Sequence, residues 1–281
     1  GDWTYFTHPL PDPEHTPVRP YVTVKEGIEA ACAEHGIDCV YHKGCGVLDS
    51  DADDIAGAVR AAQDADAIIL VLGDEISQVG EQKDRACLEL SGRQQELFAT
   101  LRELGIPLIT VLVASKPLCM GDAASKADAF LCAFNGGMFG GEAVAKAIFG
   151  EINPQGRLPI TFPRHSGQLP VYYNHLPGWH GGKYCDLPAE PLFAFGEGMG
   201  YSAFAYSDLT IDEAALTASV TVRNTGDHVG VETVQVYMRD LVSSVMTPVK
   251  QLIAFRQVEL APGESRRVEF ALERESFSLV N

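Results

Sequence analysis

The sequence predicts an α/β domain, with a mostly parallel sheet sandwiched between helices, followed by an incomplete all-β sandwich. In the first part, short strands alternate with helical segments, and each strand is a nearly continuous apolar run. Both features are typical of a parallel sheet covered on both faces. From about residue 207 the apolar pattern has a period of two, with turns between short segments. That pattern predicts a sandwich, although fewer strands can be counted than the roughly seven of a complete one.

Helix caps and apolar runs predict the elements of the first part in order. Thr23 and Glu26 form a capping box, and Gly36 follows as a stop signal. The predicted helices run from Thr23 to about Glu34, from Ser50 to Ala65, from Ser91 to Leu104 and from Glu142 to Phe149. The predicted strands are Asp38–Tyr41, Ala67–Leu72, Leu108–Val113 and Ala129–Ala133.

The second part is predicted from alternation and turn residues. Leu216–Val222 and Glu232–Tyr237 alternate apolar and polar side chains, and Pro262-Gly263 marks a later turn. A stretch rich in proline, glycine and aromatic residues precedes them and is expected to pack over both parts. The predicted organisation is an α/β domain at 1–165, a connecting segment at 166–206 and a truncated sandwich at 207–281.

Composition excludes several classes of partner. The 281-residue chain carries a formal net charge of −17, and an acidic surface repels phosphate backbones, so we expect no nucleic-acid partner. No apolar run approaches the roughly 20 residues that span a bilayer, so we expect no membrane partner. No basic segment followed by an apolar one opens the chain, so no signal peptide is expected.

The seven cysteines and eight histidines show no metal-binding spacing. The cysteine count is odd, and the sequence contains no CxxC, no HExxH and no pair of histidines four residues apart. We therefore expect no metal and no cofactor. Scattered free thiols favour a reducing cytosol, which predicts a cytoplasmic bacterial protein rather than a secreted one.

The candidate catalytic residue is Glu81, in the charged loop Gly80–Arg85 beyond the strand Ala67–Leu72. Ligands bind where loops leave the carboxyl ends of strands in open α/β sheets. A glutamate there is a candidate general acid/base, and Glu75, nearer the strand, is the fallback. The alternative interpretation is a solvated charged loop.

The cations of this loop constrain that hypothesis. Lys83 and Arg85 would stabilise the ionised carboxylate of Glu81, whereas a general acid that works near neutrality needs the opposite. Both side chains therefore have to point elsewhere. We expect Arg85 to pair with Asp84 and shape the loop.

Two other segments have features that occur in ligand-binding loops. Gly136–Gly141 resembles a phosphate-cradling loop, but it lacks the GK[ST] signature and an acidic ribose partner. Its glycines are better explained by close packing between a strand and a helix. Trp179, next to His180, could stack on a sugar or serve as a hydrophobic plug.

Four segments carry a resemblance to glycoside hydrolase family 3, the family of bacterial, fungal and plant β-glucosidases. The resemblance runs from residue 1 to the end of the chain. The segments are Gly1-Asp2-Trp3, Gly80-Glu81 with Asp84-Arg85-x-x-Leu88, the stretch from Phe149 to Pro163, and the stretch from Pro191 to Ser202.

The resemblance implies an architecture and a reaction. Family members have a TIM-like barrel, then an α/β sandwich, then often a fibronectin type III-like (immunoglobulin-like) domain. This chain resembles the second and third parts, so the barrel that supplies the aspartate nucleophile is expected to be missing. The implied reaction is retaining hydrolysis of terminal non-reducing β-D-glycosides in carbohydrate metabolism, acting on β-linked oligosaccharides or aryl and alkyl glycosides.

The resemblance also implies roles for particular residues. Glu81 would be the acid/base, while Lys83, Asp84, Arg85 and Trp179 would contact the substrate. The sequence departs from the commoner form at Gln82-Lys83, where a glycine and an aromatic residue often stand, which bears on the conformation of the loop. One alternative function is a non-catalytic carbohydrate-binding or scaffolding module. A nucleotide-binding α/β protein ranks last.

Overall fold

The structure is a computed structural model that describes residues 21–178 and 184–278. The chain divides into two compact units. The first takes the residues up to Ile152 together with Phe162–Leu169, and the second takes Asn153–Thr161 together with the residues from Pro170 onward. The predictions that concern Gly1-Asp2-Trp3 and Trp179 lie outside the described residues.

The first unit contains a parallel sheet in the order β1-β2-β3, as the sequence predicts. The strands are β1 (Ile68–Gly73), β2 (Leu108–Val113) and β3 (Ala129–Cys132). The predicted strand Asp38–Tyr41 is wrong, because this segment joins no sheet and Val40 and Tyr41 are exposed. Strand propensity largely reports packing on a half-buried sheet surface, and this segment has none.

Five helices accompany this sheet in the described part of the unit. They are α1 (Val24–His35), α2 (Ile55–Ala62), α3 (Gln94–Arg102), α4 (Asp122–Ser125) and α5 (Gly140–Ile148). The capping box is confirmed: the Thr23 N–H donates to Glu26 Oε2 at 2.8 Å, and Gly36 ends α1 with φ +67°. The predicted cap at Ser50 is wrong. Asp54 caps α2 instead, accepting from the Gly57 N–H at 2.8 Å.

Two glycines let α1 and α5 approach closely. A Cβ on Gly141 would lie 2.1 Å from the carbonyl oxygen of Thr23, and one on Gly27 would lie 2.3 Å from that of Gly141. Within the Gly136–Gly141 segment, Gly141 thus serves helix–helix packing rather than the predicted strand–helix packing, whereas a Cβ on Gly137 or Gly140 would meet nothing within 4 Å. The contact encloses a core cluster against which Ile69 of β1 packs; its members are Ile28, Ala31, Cys32 and Ala145.

The second unit contains two antiparallel sheets, in agreement with the predicted all-β part. The strands are β4 (Phe204–Asp212), β5 (Thr217–Asn224), β6 (Gly230–Met238), β7 (Gln251–Leu260) and β8 (Ser265–Ala271). One sheet has the order β4-β5-β8 and the other pairs β6 with β7. Their core is Val222, Val234, Val258, Leu260, Val268 and Phe270. Across the described parts of both units, no helix combines the length and apolar character needed to cross a membrane.

Two segments of the second unit that carry the family resemblance pair with each other. The Leu158 N–H donates to the Glu197 carbonyl, and the Gly196 N–H donates to the Leu158 carbonyl, both at 2.8 Å. Arg157 forms an ion pair with Glu232 of β6 at 2.6 Å, and both side chains are largely buried. The residues that make these segments recognisable therefore hold the second unit together.

Candidate active site

The candidate site is the loop of residues 74–90, here called the Glu81 loop, which leaves the carboxyl end of β1. A 3-10 turn at Ile76–Gln78 comes first, and the Lys83 N–H then donates to the Gly80 carbonyl at 3.3 Å, which closes a turn around Glu81. Gln82 has φ +61°, in the left-handed region that glycine adopts most readily. The loop thus keeps a backbone conformation suited to the glycine of the commoner family form.

Glu81 presents an exposed carboxylate that has no hydrogen-bond or ion-pair partner among the described residues. The neighbouring cations are turned away from it. The Lys83 ammonium donates to the Ile76 carbonyl at 2.9 Å, and Arg85 Nη2 donates to the Glu89 carbonyl at 2.8 Å. The general-acid hypothesis requires that neither cation pairs with the carboxylate, because a paired cation would favour its ionised form.

The expected pairing of Arg85 with Asp84 is wrong. Arg85 instead donates to the Glu89 carbonyl and, through the same Nη2, to the Ser91 hydroxyl at 3.1 Å. Its other terminal nitrogen, Nη1, is buried without a hydrogen-bond partner in the part of the chain that the structure describes. Arg85 therefore shapes the loop by binding neutral oxygens, while Asp84 remains exposed.

The base of the Glu81 loop is closed by residues that sequence reasoning assigned differently or missed. The prediction that Ser91 caps α3 is wrong, because that helix begins three residues later, at Gln94. Its hydroxyl accepts from Gln78 Nε2 at 2.6 Å and from Arg85. Gln94, 3% exposed, accepts from the Gly73 N–H at 2.8 Å and donates to the carbonyls of Gly73 and Ser91, both at 2.9 Å. No local motif signals these contacts.

The fallback residue, Glu75, is bound within its own turn. Its carboxylate accepts from the Ser77 hydroxyl, and its N–H donates to Gln78 Oε1 at 3.4 Å. The preceding residue, Asp74, is buried and accepts from the Ser115 N–H at 3.3 Å and hydroxyl at 3.1 Å. Asp74 thereby ties the carboxyl end of β1 to that of β2. Among the described residues of the loop, Glu81 and Asp84 are the exposed carboxylates without a hydrogen-bond or ion-pair partner.

The far end of the loop is fixed around Glu89. Its carboxylate accepts from the Cys87 thiol, which lowers the pKa of Glu89, and from the Ser166 hydroxyl at 3.3 Å. Cys119 lies beside this carboxylate, and burial raises the pKa of its thiol to about 11. Such a thiol stays protonated and inert at neutral pH. Within residues 21–178 and 184–278, no three His, Cys, Asp or Glu side chains are placed to hold a metal ion.

The glycine-rich segment is occupied by structural contacts. The Gly141 N–H donates to the Val22 carbonyl at 3.2 Å, and the Val22 N–H donates to the Met138 carbonyl at 2.9 Å. A phosphate-binding loop needs free N–H groups that point at the ligand. The contacts at this segment thus argue against nucleotide binding. The substrate-binding roles of Lys83, Asp84 and Arg85 stay predictions.

Comparison with known proteins places this geometry in a family. The sequence model of the glycosyl hydrolase family 3 C-terminal domain matches residues 3–201, and that of a fibronectin type III-like domain matches residues 232–281. A β-xylosidase of Formosa agariphila is 37% identical over 270 residues, which cover 93% of this chain and 37% of the relative. A periplasmic β-glucosidase of Salmonella typhimurium is 34% identical over 92% of this chain and 39% of its own length.

A solved structure shows the same fold. The β-glucosidase from Erythrobacter marinus superposes with a TM-score of 0.86 at 35% sequence identity, covering 93% of this chain and 40% of that one. The chain thus spans less than half the length of each of these relatives. On these matches the chain belongs to glycosyl hydrolase family 3, of which it carries the C-terminal domain followed by a fibronectin type III-like domain.

Proposed function

We propose that this chain supplies the acid/base glutamate, Glu81, to a retaining β-glycosidase whose nucleophile lies on a barrel domain outside these residues. The observation that carries the proposal is the exposed carboxylate of Glu81, which has no partner in the part of the chain that the structure describes and is held in a loop whose cations bind other groups. A carboxyl group that must exchange protons with a substrate needs this freedom.

The proposed chemistry divides the work between two carboxyl groups. The nucleophile attacks the anomeric carbon while Glu81 protonates the leaving oxygen, and Glu81 then deprotonates the water that releases the sugar. In retaining enzymes the two groups lie about 5–5.5 Å apart. Covering the loop with a barrel would bring a second carboxylate close and remove water, and both changes favour the protonated form of a carboxyl group.

The proposed substrates are terminal non-reducing β-D-glycosides, either β-linked oligosaccharides or aryl and alkyl glycosides. The relatives named above are β-glucosidases and a β-xylosidase, so glucosides and xylosides are the first to test. The family barrel is the proposed partner of this chain. Because the chain contributes one carboxyl group of the pair, we expect the 281 residues alone to be inactive.

The test compares the 281-residue chain with a longer protein that joins it to its barrel. We expect the longer protein to hydrolyse an aryl β-D-glucoside or β-D-xyloside and the 281-residue chain to hydrolyse neither. In that protein, Glu81→Gln should lower kcat/KM by about 10²–10⁴-fold, the usual contribution of general acid–base catalysis. Glu75→Gln should lower it by less than about tenfold, because the Glu75 side chain is bound within its own turn.

A matched control is Glu103→Gln, which changes another exposed glutamate beyond α3 and should leave activity unchanged. Loss of activity in Glu75→Gln but not in Glu81→Gln would move the acid/base role to Glu75. An inactive longer protein that still binds β-linked oligosaccharides would instead support the non-catalytic carbohydrate-binding module.

A further inference from the structure

Ser91 sits where the two flanks of the Glu81 turn come together. Gln78 lies three residues before Glu81 and Arg85 four residues after it, and both donate to the Ser91 hydroxyl, at 2.6 and 3.1 Å. One oxygen atom thus ties the incoming and outgoing arms of the turn. We propose that Ser91 is a positioning residue for Glu81, an inference that rests on the proposed function.

Gln94 connects this hydroxyl site to the rigid part of the fold. Its side-chain amide binds both polar groups of Gly73, the last residue of β1, and also the Ser91 carbonyl. The amide is almost fully buried, so these hydrogen bonds are shielded from competing water. Ser91 is therefore held at the end of β1, and the two arms of the turn that it binds are fixed in position relative to this strand.

Positioning by neighbouring residues is needed because the Glu81 side chain has no hydrogen bond or ion pair of its own among the described residues. Its location depends on a turn that contains Gln82 at φ +61°, a conformation that non-glycine residues adopt at an energetic cost. Such a conformation persists only where the surroundings fix it. Removing the Ser91 hydroxyl would deprive the Gln78 side-chain N–H of its acceptor and leave Arg85, among the described residues, with the Glu89 carbonyl alone.

The first experiment measures the loop directly in the 281-residue chain. Ser91→Ala should raise amide hydrogen exchange across residues 79–86 by about tenfold or more, since local openings lose two hydrogen bonds. Ser91→Thr keeps a hydroxyl and should restore wild-type exchange. Ser125→Ala removes an exposed hydroxyl on α4 that binds the Gly121 carbonyl, and it should leave this loop unchanged.

The second experiment uses the barrel-containing protein with two leaving groups. A nitrophenyl leaving group needs little protonation, whereas an alkyl group depends on the general acid. Ser91→Ala should therefore lower kcat on an alkyl β-glycoside by about 10–100-fold, the cost of a roughly 1 Å misplacement, and lower it on the nitrophenyl glycoside by less than about threefold. Ser91→Thr should restore the activity on the alkyl glycoside. A general loss of stability would instead lower the activity on both leaving groups to a similar extent.

The outcomes distinguish this inference from the proposed function. If Glu81→Gln keeps full activity, the role of Glu81 is wrong and the positioning role of Ser91 is overturned with it. If Glu81→Gln is inactive but Ser91→Ala shows wild-type exchange and wild-type dependence on the leaving group, the inference about Ser91 alone is overturned. Faster exchange together with selective loss on the alkyl glycoside would support it.

Discussion

The Glu81 loop and the paired segments around Leu158 and Gly196 both carry the family resemblance, yet they treat charge in opposite ways. In the paired segments, Arg157 and Glu232 bind each other at 2.6 Å, with side chains only 14% and 13% exposed. In the Glu81 loop, Arg85 binds neutral oxygens, and the Glu81 carboxylate has no partner among the residues that the structure describes. One signature is satisfied within the fold, and the other leaves a carboxylate available.

The difference distinguishes charged residues that stabilise the fold from a carboxylate that is left accessible to a ligand. An exposed glutamate alone indicates little, because water can solvate it at no cost. What distinguishes Glu81 is the structure around it: a left-handed glutamine, buried hydrogen bonds from Gln94, and cations held elsewhere. The left-handed conformation of Gln82 costs free energy without pairing the carboxylate, which is the pattern expected where function constrains a loop.

The largest expected effect on the free energy of unfolding comes from a substitution that disrupts the paired segments. Arg157→Met should destabilise the chain by about 3–5 kcal/mol, because it leaves the Glu232 carboxylate largely buried without its cation. The measurement is urea unfolding of the 281-residue chain. The guanidinium also donates to the Gly156 carbonyl at 3.1 Å, which adds to the loss.

The control for this prediction is a second arginine–carboxylate pair in the same unit. Arg266 and Glu264 pair at 2.5 Å, but their side chains are 50% and 38% exposed. Arg266→Met should therefore cost no more than about 1 kcal/mol. Equal losses in the two variants would contradict the assignment of Arg157 as a buried structural charge.

The sequence predicts the parts of this fold that depend on local signals. The capping box at Thr23 and the stop at Gly36 involve residues close in the chain, and the apolar runs of β1 and β2 are long enough to be recognised. The segment Asp38–Tyr41 has the composition of a strand, but strand formation also needs a neighbour, which sequence alone does not reveal.

The contacts that define the site could not be predicted, because they join residues far apart in the chain. Gln94 reaches back 21 residues to Gly73, and Asp74 reaches forward 41 residues to Ser115. Serine is a common helix cap, which is why the sequence predicts that Ser91 caps α3. Its hydroxyl instead accepts from Gln78 and Arg85, which lie 13 and 6 residues earlier. The motif predicts Glu81 as the acid/base, and the long-range contacts explain how its turn is held.

A smaller effect tests the backbone of the Glu81 loop. Gln82→Gly should stabilise the chain by about 0.5–1 kcal/mol, because relief of the left-handed conformation, about 1–2 kcal/mol, exceeds the entropy that glycine adds to the unfolded state. Gln63→Gly is the matched control, since that residue has φ −54° and gains nothing in the folded state. It should be destabilising by about 0.5–1 kcal/mol. The same sign in both variants would show that Gln82 is not strained.

The smallest effect concerns pH and the network around Glu232. Tyr206 donates its hydroxyl to Glu232 at 2.6 Å, and burial, followed by this carboxylate, raises the pKa of Tyr206 above its usual value. A raised folded-state pKa means that the contribution to stability is complete below about pH 10, where unfolded tyrosine begins to ionise, and is lost as the pH rises above it. Tyr206→Phe should therefore lose less stability than the wild type between about pH 9 and 11 in urea unfolding. Tyr172→Phe should keep the wild-type dependence, because Tyr172 is 62% exposed, against 48% for Tyr206, and lacks a carboxylate partner among the described residues. If Tyr206→Phe also kept it, the tyrosine would not contribute to the network of Arg157 and Glu232, and the contrast with the open Glu81 loop would rest on that ion pair alone.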